Sequence, residues 1–304
     1  MGQMPSIKDL PTTSLLQRAL DFSDKDPKSD ERYLHDNATS DERWACVAEL
    51  HRRCEPEIFE AAKNWCARGK VVEKILAAFI LGEFGPLRQE GEEELRPFTK
   101  PTIPVLEKLL DDPDARVVAS AVDALKHHNF RDQIAERDSL TSHTSWLVRK
   151  TVASVLGGHD ASPAAIRILI KLSQDNDGDV RDWATFGLGD LCSLNTLEIR
   201  EALFARVNDE HSDTRSEALL GLAKKNDDRV IPFIKAELEA EMVGNLEVEA
   251  AGEIASGVLV EPLKALLKWW DVDTELLHAA LQRCRGEANP DEDWRWDNHS
   301  SDEA

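Results

Sequence analysis

Residues Asp175 to Gly189 read DNDGDVRDWATFGLG, an acidic turn running into a helix that opens on Val180-Arg181 and continues with small and apolar residues. Aligned on Arg181, with Ala184 three residues later and Leu188 seven later, the pattern returns along the chain. Arg149 has Val152 and Leu156, Arg215 has Ala218 and Leu222, and Arg43 has Cys46 and Leu50. Lys74, Val118, Glu247 and Thr274 head looser versions, so successive slots lie 31, 44, 31, 32, 34, 32 and 27 residues apart. Offsets of three and seven share one face of an α-helix. A unit of that length holds two antiparallel helices and cannot bury its apolar face alone, so neighbouring units must close the core. The pattern predicts an all-α superhelix, a solenoid of about eight two-helix repeats.

Composition agrees and narrows the function. Nine Phe and one Tyr in 304 residues favour helices over sheets. A formal charge of −21 disfavours nucleic acid and anionic membrane as partners, since both are polyanions, and suits a basic protein. The five cysteines (Cys46, Cys54, Cys66, Cys192, Cys284) show no CxxC spacing and their number is odd, which argues against a disulfide framework. Neither a signal peptide nor an uncharged apolar stretch of membrane-spanning length is visible, so a cytoplasmic location is the default.

The chain divides into an N-terminal tail with a short helix near Ser14–Phe22 (1–40), the repeats (41–285), and an acidic, unperiodic tail (286–304) expected to be disordered. Asp41 is expected to cap the first repeat helix. In the tail, Trp294 and Trp296 are expected to cover the last repeat or to meet a partner. The one long interval carries an insertion near 85–101, with Pro86, Pro97, Pro101 and the acidic run Glu92–Glu94, read as an exposed loop. Asp-rich turns before the repeat helices supply acceptors for unpaired backbone N–H groups.

The Asp-rich turn, the Val-Arg pair and the Ala/Leu helix together resemble bacterial HEAT repeats of the short kind also found in phycobilisome lyases, over roughly Asp41 to Cys284. In that family the Arg-slot helices line a concave surface, and Asp and Arg bond between neighbouring repeats. The resemblance implies a structural ladder of Arg149, Arg181 and Arg215 with Asp179 and Asp213. It also places offsets +1, +5 and +9 from the slot in the groove, which makes Trp44, Phe79, His127, Asp182, Phe186 and Asp190 candidate partner-binding residues. Phe186 between Asp182 and Asp190 suits a surface bearing Arg or Lys, where stacking and ion pairing act together.

Other chemistries find little support. DNDGDVRD has part of a calcium loop's alternation, but Phe186 stands where the ligand Glu should follow. His128 and His159 share offset +10 and read as packed histidines rather than metal ligands. No His is followed by Glu, as in HEAT-type di-iron hydroxylases, and the charge has the wrong sign for a HEAT-like glycosylase. No nucleophile, base and orienting residue share a motif. The reading is a non-enzymatic scaffold without metal or cofactor, binding a basic protein in its groove; a bilin lyase-like or other small-molecule enzyme and an immunity-type toxin inhibitor are the competing readings.

Overall fold

The computed structural model describes residues 6–24, 42–85, 88–90, 93–95, 97–158 and 162–287. The expectations for Asp41, His159, Trp294 and Trp296, and for the tail beyond 287, lie outside the described residues. The chain divides into two compact units, Met1–Ala184 and Thr185–Ala304.

In the first unit a 3-10 turn (Ile7–Asp9) leads into α1 (Thr12–Asp24), α2 (Glu42–Arg53), α3 (Pro56–Arg68), α4 (Val71–Gly82), α5 (Thr99–Glu107), α6 (Ala115–Leu125), α7 (Arg131–Ala135), α8 (Asp138–Thr141), α9 (Trp146–Leu156) and α10 (Pro163–Leu172). α11 (Gly178–Phe186) carries the boundary between the units. The first helices of successive repeats form a row, α4 against α6 and α6 against α9, with second helices such as α3 and α10 packed beside them. The short pair α7 and α8 is the second half of the third repeat, where sequence periodicity shows no helix. It buries only Ile134, Ala135, Leu140 and Thr141, too few residues to leave a 3.6-residue signal.

The second unit continues with a π turn (Gly187–Leu191), then α12 (Leu197–Phe204), α13 (Ser212–Lys224), α14 (Ile231–Leu238), α15 (Asn245–Ile254), α16 (Val260–Leu266) and α17 (Thr274–Cys284). The row here is α13 against α15 and α15 against α17, with the π turn beside α13. Gly189 and Gly221 meet where the π turn crosses α13: a Cβ built on Gly221 would lie 2.6 Å from the Gly189 Cα.

Each slot residue falls in the opening turns of a first helix, and the +3 and +7 residues are 0–3 % exposed, Ile254 alone being half-buried. Burying one Leu contributes roughly 1.5–3 kcal/mol, whereas an exposed pair such as Lys63–Glu60 contributes about 0–1. The apolar rows therefore hold the stack. Helix starts follow the capping chemistry: Asp114, Ser162, Thr196 and Asp273 each accept from a backbone N–H of the turn they precede, and Pro56 and Pro163 stand in first turns that need no donor there.

The insertion departs from the expected loop. Its backbone forms an antiparallel hairpin, β1 (Arg88–Glu90) with β2 (Glu93–Leu95), pairing Gln89 with Glu94. Strands of three residues rich in charge leave no alternation to read. Both feet are clamped by aromatic rings, Phe84 and Phe98 lying 5.0 Å apart and Phe59 stacking on Phe98 at 5.0 Å.

At the other end of the unit, buried Glu49 accepts from Arg52 Nε and Nη2 (2.8 and 2.6 Å) and from Arg53 Nε (2.8 Å). Arg53 also reaches Thr12 Oγ1 and the Lys8 carbonyl, tying α2 to the start of the chain. The Arg52 hydrogen bonds hold the Glu49 carboxyl down from 4.5 to about 2, against the upward push of burial. A depressed carboxyl stabilises the fold fully above its unfolded pKa and loses that contribution as pH falls through the folded value. The melting-temperature gap between wild type and Glu49→Gln should therefore narrow steadily from pH 4.5 to 2; a gap independent of pH in that window would refute the linkage.

Candidate functional site

Three of the slot arginines, Arg149, Arg181 and Arg215, bond to the turns that precede their helices. Arg149 donates Nε–H and Nη2–H to the two Asp175 oxygens at 2.7 and 2.8 Å, and Nη1–H to the carbonyls of His143 and Thr144 at 2.7 and 3.1 Å. Arg181 Nη1 reaches the carbonyls of Asp175 and Asn176 at 3.0 and 3.3 Å. Arg215 Nη1 reaches that of Asp209 at 2.7 Å, and its Nε reaches Glu237 at 2.7 Å. In all three, the guanidinium caps the carbonyl six residues back, at the start of the turn. Lys74, in the slot of the second repeat, pairs with the Asp112 carboxylate at 2.6 Å.

For Arg149 and Arg215 the acids differ from those the resemblance implied. Arg149 takes Asp175, not Asp179, and Arg215 takes Glu237, not Asp213, which accepts from Ser212 Oγ. Asp179 and Asp213 stand in first turns of their helices, where a carboxylate faces the positive end of the helix dipole. Asp112, Asp175 and Asp209 open the turns instead, and each accepts from the backbone N–H two residues on, at 2.9–3.0 Å. His143 Nδ1 does the same for Ser145. The Asp175 carboxylate thus faces a guanidinium, the wrong neighbour for a cation site.

Three of the candidate binding residues come together in the first unit. Trp44 of α2, Phe79 of α4 and His127, just beyond α6, line a cleft of about 230 Å³ with His51, Ala78, Gly82, Glu83, Asp123, Ala124 and Lys126. The half-buried Trp44 and Phe79 rings meet edge to face, centroids 4.9 Å apart. His51 Nε2 lies 3.1 Å from the Phe79 carbonyl, which can only accept, so that nitrogen carries the proton and ties α2 to α4. The floor is shallow in side chains because α4 and α6 approach closely: a Cβ on Gly82 would lie 3.1 Å from the Ala124 Cα. At the rim, His127 Nε2 is 3.6 Å from the Glu83 carboxylate, and Lys126 pairs with Asp123 at 2.6 Å.

Sequence reasoning missed His51, Gly82 and Lys126, all at offset +8. Seven residues fall about 20° short of two turns, so +8 shares a face with +1, a signal that was available. Of the other groove offsets, Ala119 and Leu220 are buried. His128 is a packed histidine: its Nε2 donates to the Leu81 carbonyl at 3.0 Å, and its Nδ1 lies 3.3 Å from Thr99 Oγ1.

Asp182, Phe186 and Asp190 are placed differently. The boundary between the units falls between Asp182 and Phe186. Helical winding turns from α to π across Gly187–Leu191, the segment that carries Asp190. Asp190 pairs with Lys224, which also pairs with Glu249; burial alone would lower the Lys224 pKa, but these acids raise it. Phe186 is half-buried.

A second accessible surface went unnoticed in the sequence. Five residues before the slots stand Pro113, Thr144, Asn176 and Glu210, but then Met242 and Trp269, which are 88 % and 50 % exposed. The two turns are joined by Trp270 Nε1 donating to the Val243 carbonyl at 2.7 Å.

Among the described residues no group of three or more His, Cys, Asp or Glu could hold a metal ion, and no helix is long and apolar enough to cross a membrane. Burial pushes the Cys66 and Cys284 thiols up to about 12 and about 11, which keeps them unreactive.

A family model described as HEAT repeats matches residues 103–189. The chain is 26 % identical over 259 residues to Protein YibA of Escherichia coli K12, across 83 % of this chain and 89 % of that protein, and equally so to YibA of Escherichia coli O157:H7. The X-ray structure of E. coli YibA superposes with a TM-score of 0.64 at 24 % identity, covering 94 % of this chain and 99 % of that one. That likeness speaks for the fold.

Proposed function

Because residues 103–189 match HEAT repeats and the same repeat pattern runs through the helices on either side, we propose that the chain is a non-enzymatic scaffold that holds a basic partner protein against its first helices. HEAT repeats generally mediate protein interactions. The observation that carries the finer reading is the cleft at Trp44, Phe79 and His127, an accessible aromatic pair rimmed by carboxylates on a protein of charge −21. Half-buried aromatics in a cleft are the usual anchors of protein interfaces, and the overall charge attracts a basic partner and speeds its association. Asp182, Phe186 and Asp190 occupy the corresponding offsets of the fifth repeat and are proposed as further contact positions. A cytoplasmic location fits this reading.

The test is affinity capture from the native host followed by mass spectrometry, with wild-type and Phe79→Ala protein side by side. A basic protein should be recovered with wild type, and Phe79→Ala should weaken its binding by about 1–3 kcal/mol while leaving the far-ultraviolet circular dichroism unchanged. Equal binding by both would move the site away from the cleft. A coloured tetrapyrrole adduct or measurable turnover would favour the enzyme reading.

A further inference from the structure

Two turns of the second unit present large apolar side chains to solvent. The turn after α14 exposes Met242 (88 %), and the turn after α16 exposes Trp269 (50 %) and Val272 (66 %). Met242 and Trp269 hold the same place in adjacent repeats, five residues before the slot, and stacked helices set such places ~8–10 Å apart. A buried pair ties the turns together: Trp270 and Val243 are 3 % and 7 % exposed, and the Trp270 indole N–H donates to the Val243 carbonyl at 2.7 Å. The exposed side chains therefore stand on a fixed base. Trp and Met are the residues protein interfaces favour, a broad stiff ring beside a pliable thioether that moulds to what meets it.

Charge selects the occupant. The two turns, 239–244 and 267–273, carry four acids, Glu239, Glu241, Asp271 and Asp273, against one base, Lys268. A twofold contact between copies of this chain would set these acids against themselves. Residues 288–304 carry six acids against one arginine, so they do not complement the turns either. An anionic membrane is disfavoured on the same ground. A segment whose apolar side chains are flanked by Lys or Arg matches both the apolar centre and the surrounding charge.

We infer that this surface docks a basic amphipathic segment of another protein, its apolar side chains on Met242, Trp269 and Val272 and its cations toward Glu241 and Asp271. Docking there goes beyond the scaffold reading and does not depend on the Trp44 cleft.

Of the three methionines, Met242 is the one within the repeats, so methyl-labelled methionine in the full chain reports on this surface, its signal assigned by Met242→Leu. The probes are an amphipathic peptide of leucine and lysine, the same peptide with Glu for each Lys, and one with Ser for each Leu. The leucine–lysine peptide should shift the Met242 methyl signal saturably, and both altered peptides should bind at least about tenfold more weakly. Trp269→Ala should weaken binding by at least about tenfold with the circular dichroism unchanged. E241K/D271K should weaken it by a similar factor, and Phe79→Ala should bind as wild type does. Undiminished binding by Trp269→Ala, equal binding of the Glu peptide, or loss of the Met242 shift in Phe79→Ala would overturn the inference, while the capture experiment tests the cleft separately. A Met242 signal that moves with protein concentration alone, with a dimer in sedimentation, would overturn it in favour of a second copy. A signal moved by W294A/W296A without peptide would overturn it in favour of the chain's own C-terminal segment.

Discussion

Gly221→Val should destabilise the second unit by about 3 kcal/mol or more, well above the usual cost of a surface substitution, because overpacking at a rigid contact forces backbone to move. A Cβ at Gly221 would sit 2.6 Å from the Gly189 Cα, and one at Gly189 would sit 2.9 Å from the Gly221 Cα. Neither obstacle is the end of a flexible side chain, so nothing can swing aside. Gly257→Ala is the control: its nearest neighbour would be the Cys284 carbonyl at 3.8 Å, an ordinary contact, and stability should change by about 0.5 kcal/mol or less. Chemical denaturation reads both. A Gly221→Val protein as stable as the control would mean that the π turn and α13 separate easily.

Arg149→Leu should cost about 3 kcal/mol, in line with removing one partner of a largely buried ion pair. Arg149 is 16 % and Asp175 10 % exposed, and the loss strands the Asp175 carboxylate along with two turn carbonyls. Burial pushes the Asp175 carboxyl up, but the Arg149 hydrogen bonds and the Asp177 N–H outweigh it and hold the group below the usual carboxylate range. The Asp175 contribution is therefore present above the ordinary carboxylate pKa and lost as pH falls below it. Arg149→Lys should recover less than half of the stability, since an ammonium cannot serve a bidentate carboxylate and the carbonyls at once. The double replacement R149L/D175L should be more stable than either single change, because it leaves no unpaired charge. Additive losses in that cycle would show that the two side chains act independently.

The +3 and +7 rows, the slot spacing and the Asp-rich turns made the fold legible. Those are local periodicities, and an amphipathic helix of this length has few ways to bury its stripe. The sequence also marked Trp44, Phe79 and His127, since offset from a repeat is itself a statement about helix face. The breaks in local regularity escaped it. The π turn at Gly187–Leu191 interrupts α-helical winding, and the paired short helices α7 and α8 show no period.

Sequence by itself determined the repeat, the helix-dominated class and the identity of the buried rows, because these follow from hydrophobic spacing within single helices. Tertiary structure alone decided partners: Arg149 with Asp175 rather than Asp179, Lys224 with Asp190, Glu83 with His127, and backbone against backbone at Gly189 and Gly221. Each of these depends on how far one repeat is shifted and rotated against the next. That offset is set by the summed packing of two helices, and a carboxylate two residues along the chain and one six residues along are equally good acids until the packing brings one of them within 3 Å.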